Sequence, residues 1–130
     1  MTTDPVFGPV LMFGAGGVSV EVVRDTTMEL LPVDDSLAED MIARTRISGL
    51  LAGYRNRPAA DRAAIVSALK AVSQLVTDFP QIAAIDINPL LADSDGVVAL
   101  DARVELAQQA ASAPSPTLQP APRRAGFISP

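Results

Sequence analysis

The chain has 130 residues, 48% hydrophobic and 19% charged, a composition that suits one globular domain with one core. It contains no Cys and no His, which excludes disulfides, thiolate or imidazole metal sites, and the commonest general base, so any metal must be a hard cation held by oxygen, Mg²⁺ or Ca²⁺. The net charge is −5, and because Arg123 and Arg124 lie close to the C-terminal end the rest is more acidic still, which speaks against nucleic acid as a partner.

The uncharged run from Val6 to Val20 is not a targeting segment, since Met1-Thr2-Thr3-Asp4 offers no basic region ahead of it. Its density of Gly and Pro also excludes a membrane span, so the sequence reads as cytoplasmic with no membrane partner. Pro9 to Phe13 is a short apolar run, Gly14-Ala15-Gly16-Gly17 a turn signal, and Val18 to Val23 is rich in β-branched residues, so these predict a β-hairpin. Thr27 to Val33 adds a third strand. Asp34-Asp35-Ser36 with Glu39 reads as a capping box opening a helix to about Arg46.

Ile47 to Pro58, interrupted by Gly49 and Gly53, predicts a short helix and then a loop. The longest helix starts near Ala59 or Ala60 and runs to about Asp78, with Ile65, Leu69, Val72, Val76 and Phe79 forming its core face. Two strands follow, Ile82 to Leu91 and Val97 to Val104, joined by Ala92-Asp93-Ser94-Asp95-Gly96. The order β, β, β, α, α, β, β implies an α+β fold with helices packed on a mainly antiparallel sheet. From Ala113 onward, Pro114, Pro116, Pro120, Pro122 and Pro130 leave no helix or strand period, and 106–130 reads as a disordered Pro/Ala-rich tail.

A turn centred between Ser94 and Asp95 sets Asn88 opposite Asp101 and Asp86 opposite Arg103, with Ile85, Ile87 and Leu91 on the other face alongside Val104, Ala102 and Val98. Opposed side chains have Cβ atoms about 5 Å apart, close enough for an amide oxygen and a carboxylate to grip one cation. Spacing leaves a second reading open, a solvated polar face with an Asp86 to Arg103 ion pair. The Gly14 to Gly17 loop is either a plain hairpin loop or a set of backbone N–H groups facing phosphate; it matches neither a Walker loop nor a dinucleotide fingerprint. Arg55 and Arg57 can meet phosphate or carboxylate, or be solvated. Lys70, the single Lys, reads as a surface residue.

Ile85-Asp86-Ile87-Asn88-Pro89-Leu90-Leu91, then Gly96 and Ala99-Leu100-Asp101, resembles the end of the ATP-grasp domain in ADP-forming acetyl-CoA synthetases and their succinyl-CoA synthetase relatives. Further matches are Asp4-Pro5-Val6-Phe7-Gly8-Pro9, Phe13-Gly14-Ala15-Gly16-Gly17, Val20-Glu21, Arg24-Asp25, Leu50-Leu51-Ala52-Gly53-Tyr54-Arg55 and Asp78-Phe79-Pro80, so the resemblance covers 4–105. It implies the C-terminal lobe of an ATP-grasp fold, with Asn88 and Asp101 holding the Mg²⁺ of ATP or ADP and Asp86 facing the phosphoryl-transfer site as a catalytic group. Gly14, Gly16, Gly17 and Arg55 would be cofactor-binding. Two departures stand out: Ala83 and Ala84 where many relatives carry Glu, and Asn56 where Gly is usual.

In that family, acyl-CoA, ADP and phosphate interconvert with carboxylate, CoA and ATP through a phosphohistidine. The resemblance therefore implies a nucleotide and Mg²⁺ lobe of an acid–CoA ligase, inactive alone and completed by an N-terminal ATP-grasp lobe and CoA-binding domains or subunit. The alternative is a non-catalytic interaction module or decayed fragment that kept the fold.

Overall fold

A computed structural model describes residues 1–16 and 25–107. The predicted strand at Val18 to Val23, Gly17, Arg24 and the Pro-rich tail from 108 on lie outside those residues.

The first sheet runs β1 (Thr2–Asp4), β2 (Gly8–Gly14) and β3 (Thr26–Leu30), all antiparallel, with β2 in the centre. The run at Pro9 to Phe13 thus pairs with Thr26–Leu30, in register Val10 to Leu30 and Gly14 to Thr26, and with a first strand the sequence reading did not foresee. Asp4 closes the β1–β2 turn, its Oδ1 accepting from the N–H of Val6 at 2.8 Å and of Phe7 at 2.9 Å.

Helix α1 (Asp35–Ala43) is capped by Asp34, whose carboxylate accepts from the Leu37 N–H at 2.8 Å. The capping-box reading is corrected here: the cap falls on Asp34, the third helical residue is Leu37, and Glu39 instead pairs with Arg62 of the next long helix. The helix also stops at Ala43, ahead of the expected Arg46. Its buried residues, Ala38, Met41 and Ile42, follow the three-and-four spacing of one helical face. Helix α2 is one turn, Ser48–Leu51, and α3 spans Arg62–Asp78 with Asp61 as its cap. Ile65, Val66, Leu69, Ser73 and Val76 are its buried stripe, whereas Phe79, expected on that face, caps the helix and is 47% exposed.

From Ala84 outward the C-terminal hairpin forms in the expected register but as two ribbons, and the register shifts between Ile82 and Ala84. β4 (Ile82–Ile87) pairs with β7 (Ala102–Leu106), and β5 (Leu90–Asp93) pairs with β6 (Gly96–Ala99). The ladder breaks at Pro89, which has no N–H to give, and the two ribbons stay linked by Asn88 N–H to Asp101 O at 3.1 Å and Leu100 N–H to Pro89 O at 3.0 Å. β4 also meets β1, because the Met1 amino group donates to Ile85 O at 2.7 Å and the Ile85 N–H to Met1 O at 3.0 Å. These bonds tie the β4–β7 ribbon to the edge of the three-stranded sheet.

One core lies between β2, α1 and the first half of α3, around the fully buried Met41, Ile42 and Ile65. A second lies under β4, where Val76 meets Ile82 and Ile85. Buried polar groups are satisfied: Ser73 Oγ accepts from the Val33 N–H at 2.8 Å, and the Thr27 hydroxyl donates to Met41 O at 3.0 Å. No described helix is long and apolar enough to cross a membrane.

The common apolar face expected for the hairpin is not found. Ile85 is 4% exposed, but Leu91, Val98 and Val104 are 51%, 57% and 51% exposed. In the tip it is Ala92 and Val97 that pack on the first core, so the burial phase changes across the Asn88–Pro89 break. Ile87, expected on the core side, is half-buried at the edge of the second core.

Candidate functional site

A groove of about 720 Å³ runs between the two cores. One wall is the end of β2 with Gly14, Ala15 and Gly16; the other is β4 and β5, presenting Asp86, Asn88 and Leu90; the floor is α3 through Ala68, Ala71 and Val72. Four of the sequence-predicted site residues, Gly14, Gly16, Asp86 and Asn88, thus line one groove.

Gly14 holds its wall because nothing larger fits: a Cβ there would stand 2.0 Å from the Asp25 carbonyl oxygen. The Ala15 N–H donates to that same oxygen at 3.0 Å, which fixes the path of the chain into Gly16. Asp25 is itself buried, and its two carboxylate oxygens accept from the N–H groups of Arg46 at 2.7 Å and Ile47 at 2.9 Å, tying the loop to the start of α2. Sequence reading named this residue only within the Arg24-Asp25 match and gave it no role; an acidic side chain at the edge of an apolar run was the available signal.

Across the groove, a Cβ on Gly16 would lie 3.4 Å from Asn88 Oδ1, an ordinary contact distance, so Gly16 faces the amide oxygen with room for about one methyl group between them. Asn88 is fixed from behind by its main-chain bond to Asp101, which sets the two residues opposite each other across the ladder break. Asp101 is exposed and is not among the groove-lining residues, nor is Arg55. Gly17 lies outside the described residues. Asp86 and Arg103 are opposed as expected, but they form no ion pair; the described ion pairs are Arg44 with Glu29 and Asp40, Arg62 with Glu39, and Lys70 with Asp35. Lys70, read as a surface residue, sits in that exposed pair.

Asp86 is the only charged side chain among the described residues that line the groove. Backbone N–H groups at the glycines, one amide oxygen and one carboxylate can orient an oxyanion with its cation, but they bring no positive charge of their own. No group of three or more acidic residues placed to hold a metal occurs among the described residues. Mg²⁺ does not need one, since it is commonly held by one or two protein oxygens with phosphate and water completing the octahedron. The oxygen donors of Asn88 and Asp101 and the close approach of Gly16 fit such a group.

Comparison with known proteins identifies the family. The chain is 42% identical over 105 residues to a 4-hydroxybutyrate–CoA ligase (ADP-forming) of Nitrosopumilus maritimus, matching 79% of this chain and 15% of that protein. It is 37% identical to the beta subunit of acetate–CoA ligase (ADP-forming) I of Pyrococcus furiosus, over 82% of this chain and 46% of the subunit. Among solved structures it resembles an acetyl-coenzyme A synthetase 1 of Ca. Korarchaeum cryptofilum determined with coenzyme A and Mg-AMPPCP, with a TM-score of 0.78 and 38% identity over 82% of this chain and 50% of that one. The chain thus spans half or less of the relatives it matches. The ATP-grasp domain pattern matches residues 1–106, and the chain belongs to the ATP-grasp domain family, as a homologue of the beta subunits of ADP-forming acetyl-CoA synthetases.

Proposed function

We propose that the chain is the C-terminal, metal-holding lobe of the ATP-grasp domain of an ADP-forming acid–CoA ligase, occupying 4–105. The observation that carries this reading is the juxtaposition of Gly16 with Asn88 across the groove, with Asp101 held opposite Asn88 by the main chain. In it Asn88 and Asp101 hold Mg²⁺, the backbone of Gly14 and Gly16 faces the phosphates of ATP or ADP, and Asp86 positions the group that exchanges the phosphoryl. Bound Mg²⁺ would supply the charge neutralisation that phosphoryl transfer needs.

Incompleteness follows from charge. Among the described residues the groove has one carboxylate and no cationic side chain, and the half-buried Met1 amino group already bonds Ile85 O, so on this reading cations for a polyphosphate come from an N-terminal ATP-grasp lobe, and the CoA chemistry from further domains or a second subunit. Residues 113–130 are not required; the expected tail boundary at 106 is corrected, since Leu106 belongs to β7 and the Ala107 N–H donates to Gln81 O at 2.8 Å. A second reading, a non-catalytic interaction module, is favoured by Ala84, which lines the groove where many relatives have an acid nearby.

The test is to fuse 1–107 behind the matching N-terminal part of the Pyrococcus furiosus beta subunit, supply that enzyme's other subunit, and measure ATP formation from ADP, phosphate and acetyl-CoA. Activity that falls at least tenfold in Asn88→Ala and Asp101→Ala, with unchanged melting temperature, supports the ligase reading. A folded fusion that binds its partner without turnover supports the interaction module. The 130-residue chain alone is expected to show none.

A further inference from the structure

Arg55 is the one described non-glycine residue in the left-handed region, with φ of 54°. It stands in a two-residue turn closed by a bridge between Tyr54 and Arg57, with the Arg57 N–H donating to Tyr54 O at 3.1 Å. The turn has little freedom. Gly53 before it has φ of 95°, and a Cβ there would meet Ala59 N and Arg57 O at 3.2 Å. After it, the Ala60 N–H donates to Leu51 O at 2.8 Å and the Asp61 N–H to Asp93 O at 2.7 Å.

Tyr54 and Arg57 are opposed across the bridge, so their side chains leave the same face. The Arg55 guanidinium comes to that face as well, its carbon 5.1 Å from the centre of the Tyr54 ring. A guanidinium held over a ring face keeps N–H donors at its edge, in a fork that matches an oxyanion. Neither Arg55 nor Arg57 takes part in any of the four described ion pairs, in a chain with 15 acidic residues. An arginine held in a backbone region it disfavours, on a braced turn and beside a second exposed arginine, is a local cost that its contact with one exposed tyrosine ring offsets only in part.

We infer that the Tyr54-Arg55-Asn56-Arg57 turn is an anion site, separate from the groove, that takes a phosphate group between the Arg55 and Arg57 guanidinia. Phosphate is favoured over carboxylate because two exposed guanidinia on one short turn offer more donors and more charge than one carboxylate can use, whereas a phosphate dianion can use both. This site does not depend on the metal-holding role proposed for Asn88 and Asp101.

The experiment is a titration of the full chain with inorganic phosphate, and in parallel with acetate and chloride at equal ionic strength, followed by amide and arginine Nε–H resonances. Phosphate should shift Tyr54 to Arg57 saturably, and the shifts should survive Asn88→Ala. Arg55→Ala should weaken the site about tenfold or more, the loss of a charge-assisted hydrogen bond. Arg55→Lys, which keeps the charge but loses the stacked fork, should fall close to it. Arg55→Asn should lose phosphate while keeping or raising the melting temperature, since Asn tolerates the left-handed region. Equal shifts with acetate or chloride, full binding in Arg55→Lys, or shifts of the same size at Arg44, Arg46 and Arg62 would each overturn the assignment.

Discussion

Above the register shift between Ile82 and Ala84, the base and the tip of the C-terminal hairpin share one register and bury opposite phases. At the base, Ile82 and Ile85 enter the core against Val76; at the tip, Ala92 and Val97 do, while Leu91 and Val98 stand out in solvent. Register is a property of the turn, fixed by Asp95-Gly96 and readable from a few residues. Which face is buried is a property of what lies against the ribbon, and α3 packs on different faces of the two halves. The break between them falls at Asn88 and Asp101, so the change of phase and the proposed metal pair occupy the same place.

The largest effect that tests this contrast is Ile85→Ala, expected to cost about 2 to 5 kcal/mol because it empties a fully packed position. Leu91→Ala, in the same strand direction and on the same face by alternation, should cost less than about 0.5 kcal/mol. Chemical denaturation of both variants measures the difference; comparable losses would restore a single buried face. On the opposite groove wall, Gly14→Ala should destabilise by about 1 to 3 kcal/mol, since the added carbon meets backbone with no room to retreat.

A closer comparison sits within one strand. Val97→Ala should cost about 1 kcal/mol and its neighbour Val98→Ala close to nothing, as half-burial against the first core gives only part of the transfer energy. The smallest effect lies at the β1–β2 turn. The Phe7 N–H, and after it the Val6 N–H, hold the Asp4 carboxyl below its ordinary range. A carboxyl with a lowered folded value stabilises above the unfolded value and loses that contribution as pH falls through the folded one. The Asp4 side-chain resonance should therefore titrate at lower pH than in a short peptide, and an ordinary midpoint would mean the turn is not closed in solution.

The α+β class, the long helix, the short helix and loop before it, and the hairpin register were legible because period, caps and turn residues are local signals. The partnering of β2 was not. Pro9 to Phe13 has an adjacent β-branched run that invites a tight hairpin, yet Thr26–Leu30 is its partner and Thr2–Asp4 takes its other edge, a choice made by tertiary packing. The cap is Asp34 rather than a box at Ser36 and Glu39, and Glu39 is engaged by Arg62, a partner distant in sequence. Within the site, opposition of Asn88 and Asp101 followed from register alone. The approach of Gly16 to Asn88 did not, since it depends on how two separate hairpins meet across α3.

The central claim, that a nucleotide's metal sits at the break in the hairpin, is tested most directly by adding ADP with Mn²⁺ in place of Mg²⁺ to the intact chain and following paramagnetic broadening of its amide resonances. Binding of the isolated lobe need only be weak for this to report. The account requires that Gly16, Asn88 and Asp101 broaden first and together, and that Asn88→Ala abolishes the effect at all three. Broadening centred instead on the exposed Asp93-Ser94-Asp95 turn or on Asp34 and Asp35, with Gly16, Asn88 and Asp101 left sharp, would contradict it.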